Sequence, residues 1–115
     1  MLRAEFITLE SEADLIIAFG LEPSGAETLQ LIRSPQFEHI LDPDQRGVRV
    51  SYTRDLSGED HLLRSLDWIG NILRIVTTRG KYTVDISRVD TDEIAEAKRI
   101  LKLMHAGQPF QSNVV

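Results

Sequence analysis

The chain has 115 residues, a formal net charge of −5 and no cysteine. That length suits one domain with a core of its own, and the missing thiols exclude both a disulfide framework and a thiolate zinc site. The longest apolar run, Leu15 to Phe19, is five residues, far short of the roughly 20 that a membrane helix needs. With Glu5 and Glu10 interrupting the N-terminus there is no signal-peptide core, so the expectation is a soluble cytoplasmic protein.

In chain order, a first strand is expected around Ala4 to Leu9, turning at Glu10-Ser11-Glu12. Leu15 to Phe19 suits a short buried strand, and Leu29 and Leu31 alternate with Thr28 and Gln30 as a half-buried strand should. Residues 34–41, SPQFEHIL, then read as a helix of barely two turns. Ser34 is placed to cap, Pro35 to occupy the first helical position, and Phe37, Ile40 and Leu41 to form an apolar side.

Residues 42–47, DPDQRG, open like a calcium loop, with aspartates at positions one and three and glycine at six. Positions five and twelve hold Arg46 and Thr53, where such a loop needs an oxygen ligand and a bidentate glutamate. The stretch therefore reads as a turn, with Pro43 setting φ and Gly47 accepting a positive φ. Val48, Val50 and Tyr52 next alternate with polar residues as a fourth strand, and Ser57-Gly58-Glu59-Asp60 turns again.

Residues 62–87 read as a three-stranded meander with two-residue turns at Gly70-Asn71 and Arg79-Gly80. That register sets Leu66 opposite Ile75, Trp68 opposite Leu73, Ile75 opposite Val84 and Leu73 opposite Ile86, with Tyr82 beside Thr77 on the same apolar face. On the other face Asp67, Arg74 and Asp85 form a row. Arginine disfavours positive φ, so the alternative at the second turn is a three-residue loop that sets Arg74 beside Val84.

A C-terminal helix has the clearest signal. Asp90 and Glu93 stand at capping-box spacing and Val89 and Ile94 at that of a hydrophobic staple. Ile94, Ala97, Ile100, Leu101 and Met104 form one stripe, whose burial could contribute about 5–8 kcal/mol before entropy is subtracted. Gly107 and Pro109 provide a stop, leaving 106–115 as a tail.

These elements give one domain, 1–115, of the α+β class. The expected sheet is mainly antiparallel, strongly bent or barrel-like, and of about seven strands, with a short helix after the third strand and a C-terminal helix packed on the sheet. Seven strands and a final helix resemble the pleckstrin-homology superfold in outline, by order of elements alone. The resemblance implies that binding is commoner than catalysis on such a scaffold.

No cofactor, metal or catalytic pattern stands out. The histidines, at 39, 61 and 105, share no ligand spacing, and no nucleotide or nucleophile motif is present. The expectation is a binding or regulatory protein, not an enzyme. It would engage another protein, a basic one being the best match, through exposed sheet edges or through the acidic loops carrying Asp42, Asp44, Asp55, Glu59 and Asp60, and a homodimer through a sheet edge is the other protein–protein option. The alternative is a nucleic-acid or anion binder, because residues 46–88 carry a local excess of positive charge that includes Arg49, Arg54, Arg74 and Arg79. Tyr82, placed on the apolar face, takes an aromatic platform away from that alternative.

Overall fold

The computed structural model describes residues 1–42, 46–55, 61–105 and 111–114. The strands β1 (Leu2–Glu10), β2 (Leu15–Leu21), β3 (Glu27–Arg33) and β4 (Arg49–Tyr52) form one antiparallel meander; β5 (His61–Ile69), β6 (Ile72–Thr77) and β7 (Lys81–Asp85) form a second. Two short seams join them. β1 runs parallel to β7 at Leu2–Val84 and Arg3–Asp85, and β4 runs antiparallel to β5 at Arg49–Leu62 and Val50–His61. The sheet thus closes in a ring, but seams of two residue pairs each do not make a barrel.

The ring's inner face is apolar because side chains alternate along each strand. Ile17, Phe19, Leu29, Leu31, Leu66, Trp68, Leu73, Ile75 and Val84 are all buried. In β1 the alternation needs a bulge: Ala4 pairs with Leu21 and Phe6 with Gly20, so Glu5 is the extra residue. Ala4 and Ile7 therefore both face inward and Phe6 faces out, its ring lying over Gly20. A Cβ on Gly20 would come within 2.3 Å of Phe6 Cζ.

The hairpin at Gly70-Asn71 has the expected register, with Asp67 opposite Arg74, and Gly70 takes a φ of +60°. The next turn corrects the sequence reading. Leu73 pairs with Val84, Arg74 with Thr83 and Ile75 with Tyr82, two residues from the expected register and one from its alternative. No described residue other than glycine has a positive φ, and the chain avoids placing Arg79 there by turning one residue earlier, at Thr78-Arg79. The Thr77 hydroxyl accepts the N–H groups of Arg79 (3.2 Å) and Gly80 (3.0 Å) and donates to the Gly80 carbonyl (3.1 Å). A shift of two residues keeps every side chain on its face, so Trp68 and Tyr82 remain inside and Arg74 outside. It dissolves the expected row: Asp85 lies opposite Ile72 and accepts the Ser87 N–H instead.

The C-terminal helix α1 (Thr91–His105) starts as expected, with the Asp90 carboxylate accepting the Asp92 N–H at 3.2 Å. It packs on β1 and β2 and buries Ala97, Ile100, Leu101 and Met104. The helix is too short and polar to cross a membrane, as is every described helix. Two further elements depart from the sequence reading. After β3 there is no α-helix but a 3-10 helix, Pro35–Ile40, that buries none of its residues; it is too short to gain from α-helical hydrogen bonding, and Ser34 makes no side-chain cap. After α1 the expected tail contains a strand, β8 (Gln111–Val114), parallel to Ser65–Trp68 of β5. Its sequence, QSNV, has no alternation to announce it. The expected stop at Gly107 and Pro109 lies outside the described residues.

Arg33, at the end of β3, ties these parts together. Its guanidinium donates to the carbonyls of Leu103 and Met104, each at 3.1 Å, and to the Glu38 carboxylate at 2.8 Å, with only 12% of the side chain exposed. The last carbonyls of a helix lack partners within it, so one side chain caps α1 and anchors the 3-10 helix together. Arg33→Ala is expected to lower unfolding stability by about 2 kcal/mol in urea titration, in line with lost charge-assisted hydrogen bonds, and to speed amide exchange in the last turn of α1.

Candidate functional site

Two regions bring chemistry-bearing or contact-bearing side chains together. The first is polar and lies where the ring's ends meet. Tyr52, ending β4, and Tyr82, in β7, make an edge-to-face pair with centroids 5.5 Å apart at 75°, a favoured aromatic geometry that binds one meander to the other. Beside them the buried His61 Nε2 lies 3.0 Å from Asp55 Oδ2. The approach is close but not an aligned N–H···O bond, since Nε2 has no hydrogen-bond partner among the described residues. Burial, then the Asp55 and Tyr52 charges, pushes the Tyr82 phenol above its ordinary value.

A cleft of about 260 Å³ opens at this end, lined among others by Leu2, Arg3, Glu22, Glu27, Tyr52 and Arg54. Its acids are matched: Glu27 accepts from Arg54 Nε at 2.7 Å, and Glu22 accepts from Arg88. No hydroxyl group of the described residues is hydrogen-bonded to His61, so the Asp55–His61 pair has no nucleophile attached.

The second region is apolar. Phe37 (50%), Ile40 (70%) and Leu41 (38%) account for three of the seven large apolar side chains exposed among the described residues. In a 3-10 helix residues i and i+3 eclipse each other, so Phe37 and Ile40 stack into one ridge, with Leu41 next to it. The Arg33–Glu38 pair fixes the ridge from one side, and Gln36 reaches Asp14 at 3.4 Å from the other. Leu103, also exposed, shares the Arg33 anchor through its carbonyl.

The expected site residues do not assemble. Asp42 is exposed immediately after the ridge, whereas Asp55 is turned toward His61; Asp44, Glu59 and Asp60 lie outside the described residues. Arg49 donates to Ser34 Oγ at 3.3 Å, Arg54 is at the cleft, Arg74 is on the outer face of the second meander and Arg79 is in the β6–β7 turn. The four basic side chains are thus spread over different parts of the ring. Sequence reasoning grouped Phe37, Ile40 and Leu41 as the apolar side of a short α-helix and did not name them as a contact surface. The signal available was length, since six residues between Pro35 and the Asp42-Pro43 break leave little room for an α-helix.

Comparison of the chain with family models, with curated proteins and with solved structures finds no match in any of the three.

The polar end yields a pH prediction. Asp85 is held below its ordinary value of 3.8, first by the Ser87 backbone N–H and the Ser87 side chain, with Arg3 and Arg88 adding to this. A carboxylate with a depressed folded pKa contributes stability that is complete above the unfolded value and lost as pH falls through the folded one. Asp85→Asn is therefore expected to flatten the acid limb of the stability–pH curve below about pH 4 and to leave its shape near neutrality unchanged, as read by thermal melts from pH 2 to 7.

Proposed function

We propose that this chain is a small cytoplasmic binding or regulatory protein, without catalytic activity of its own, that docks a protein partner on the ridge of Phe37, Ile40 and Leu41. The observation that carries the reading is the exposure of these three side chains on an element that contributes nothing to the core. Leaving large apolar groups in water forgoes about 1.5–3 kcal/mol each, and adjacent exposed apolar groups with a polar rim mark contact surfaces. Asp42 and Asp14 flank the ridge, which favours a partner with basic residues beside its own apolar patch. A nucleic-acid or anion partner gains less support, because Arg49, Arg54, Arg74 and Arg79 sit on different elements and Arg49 and Arg54 are engaged with Ser34 and Glu27.

The test is the double variant Phe37→Ser/Ile40→Ser. Its stability is expected to stay within about 0.5 kcal/mol of the parent, as for exposed positions. Protein captured from source-cell lysate by the immobilised parent chain should bind the variant at least tenfold more weakly, a loss of about 1.4 kcal/mol. Capture that survives both substitutions removes the ridge from consideration. Salt-sensitive binding to heparin or DNA by the parent would favour the anion reading instead, and self-association by the ridge would make the partner a second copy.

A further inference from the structure

Among the described residues, β5 is the only strand with three neighbours. β6 runs along one edge for most of its length, whereas β4 covers the other edge only at His61 and Leu62. The rest of that second edge, Ser65 to Trp68, would present unpaired N–H and C=O groups were it not for β8. Such an edge is a template for another strand, and here the strand that fills it is short and parallel, a pairing slightly less stable per residue than antiparallel.

The occupant also fits poorly. Register places Ser112 beside the buried Leu66, hence toward the core side of the sheet, and Asn113 beside Asp67. Next to Ser112 is a recess of about 320 Å³ lined by Leu101, Lys102 and His105 of α1. A serine hydroxymethyl cannot fill a space bounded by a leucine and the apolar stems of longer side chains, and Ser112 remains exposed. The edge of β5 that β8 covers and the flank of α1 that lines the recess come together at Ser112, a groove whose backbone requirement is met and whose side-chain space, among the described residues, is not.

We propose that this groove is a strand-binding site, that β8 occupies it in cis, and that its partner in trans is an extended peptide segment with a large apolar side chain at the position of Ser112. Backbone pairing along Ser65–Trp68 supplies affinity and the recess supplies selectivity, the division of labour seen whenever a peptide adds to a sheet edge. β8 competes from a tethered position, at an effective concentration in the millimolar range, so only a segment that uses the recess displaces it. This surface is separate from the 3-10 ridge and does not depend on it.

The experiment uses the full chain and a synthetic peptide, FQLNVV, which is residues 110–115 with leucine in place of Ser112. The double variant Ser112→Pro/Asn113→Pro prevents β8 from pairing. It is expected to bind the peptide at least tenfold more tightly than the parent does, with amide shifts at Ser65–Trp68 and Leu101. The unsubstituted peptide, FQSNVV, should bind the same variant at least fivefold more weakly than FQLNVV. In a second arm Ser112→Leu, which leaves the strand intact, should slow amide exchange across Ser65–Trp68. Equal binding of the two peptides, shifts confined to other elements, or exchange at Ser65–Trp68 that Ser112→Leu does not slow would each overturn the proposal. The second arm decides the matter if the proline variant does not fold.

Discussion

The constraint on which this structure rests is that two meanders must present one continuous apolar interior while touching each other along seams of only two residue pairs. The backbone hydrogen bonds across such seams are too few to hold the halves together. What joins them is the shared core: Phe19 and Leu31 from one side, Trp68, Leu73 and Ile75 from the other, all fully buried. Alternation along each strand is therefore a strict requirement. A single-residue slip in β6 would move Leu73 and Ile75 into water and bring Arg74 inside, a cost far beyond the few kcal/mol by which a domain of this size is stable.

That requirement explains which parts of the fold were legible in the sequence. The face of each side chain in the meander 62–87 followed from period-two alternation, and the first hairpin followed from a glycine able to take positive φ. The second turn was misplaced by one residue, and the register beyond it by two, because its geometry depends on a local alternative invisible to the pattern. Thr77 serves as an internal cap, letting the chain turn without an unfavourable Arg79 conformation. An even error preserved the faces and destroyed only the cross-strand partners, which is why the burial of Trp68 and Leu73 survived and the Asp67–Arg74–Asp85 row did not. Helix α1 was legible because its capping signals are local. The 3-10 helix shared a helical start signal, Ser34-Pro35, but its burial depended on tertiary neighbours that no short window contains.

The candidate sites were less legible than the fold, for a physical reason. The Tyr52–Tyr82 contact and the grouping of Arg3, Glu22, Glu27 and Arg54 are products of ring closure, between residues far apart in sequence, whereas Asp55 and His61 stand six positions apart. Charge counting registered an excess of arginine in 46–88 and could not register that closure spreads it. Ion pairing at the polar end contributes little energy, since Arg54 and Arg88 are largely exposed and water screens such pairs. The aromatic contact and the burial of His61 give that end its order.

Ring closure also has a geometric remainder. β4 has four residues and β5 has nine, so a seam that begins at the start of β5 must run out before the strand does, leaving one edge uncovered over its second half. Proteins blunt such edges with charge, bulges or a covering segment. Here Asp67 is the one charged side chain on Ser65–Trp68, the bulge on the β6 side falls earlier, between Leu63 and Ser65, and the covering segment is β8. The same mismatch in strand length that prevents a barrel thus creates the groove, and the helix that completes the core supplies the groove's second wall through Leu101, a residue whose burial is itself demanded by the apolar stripe of α1.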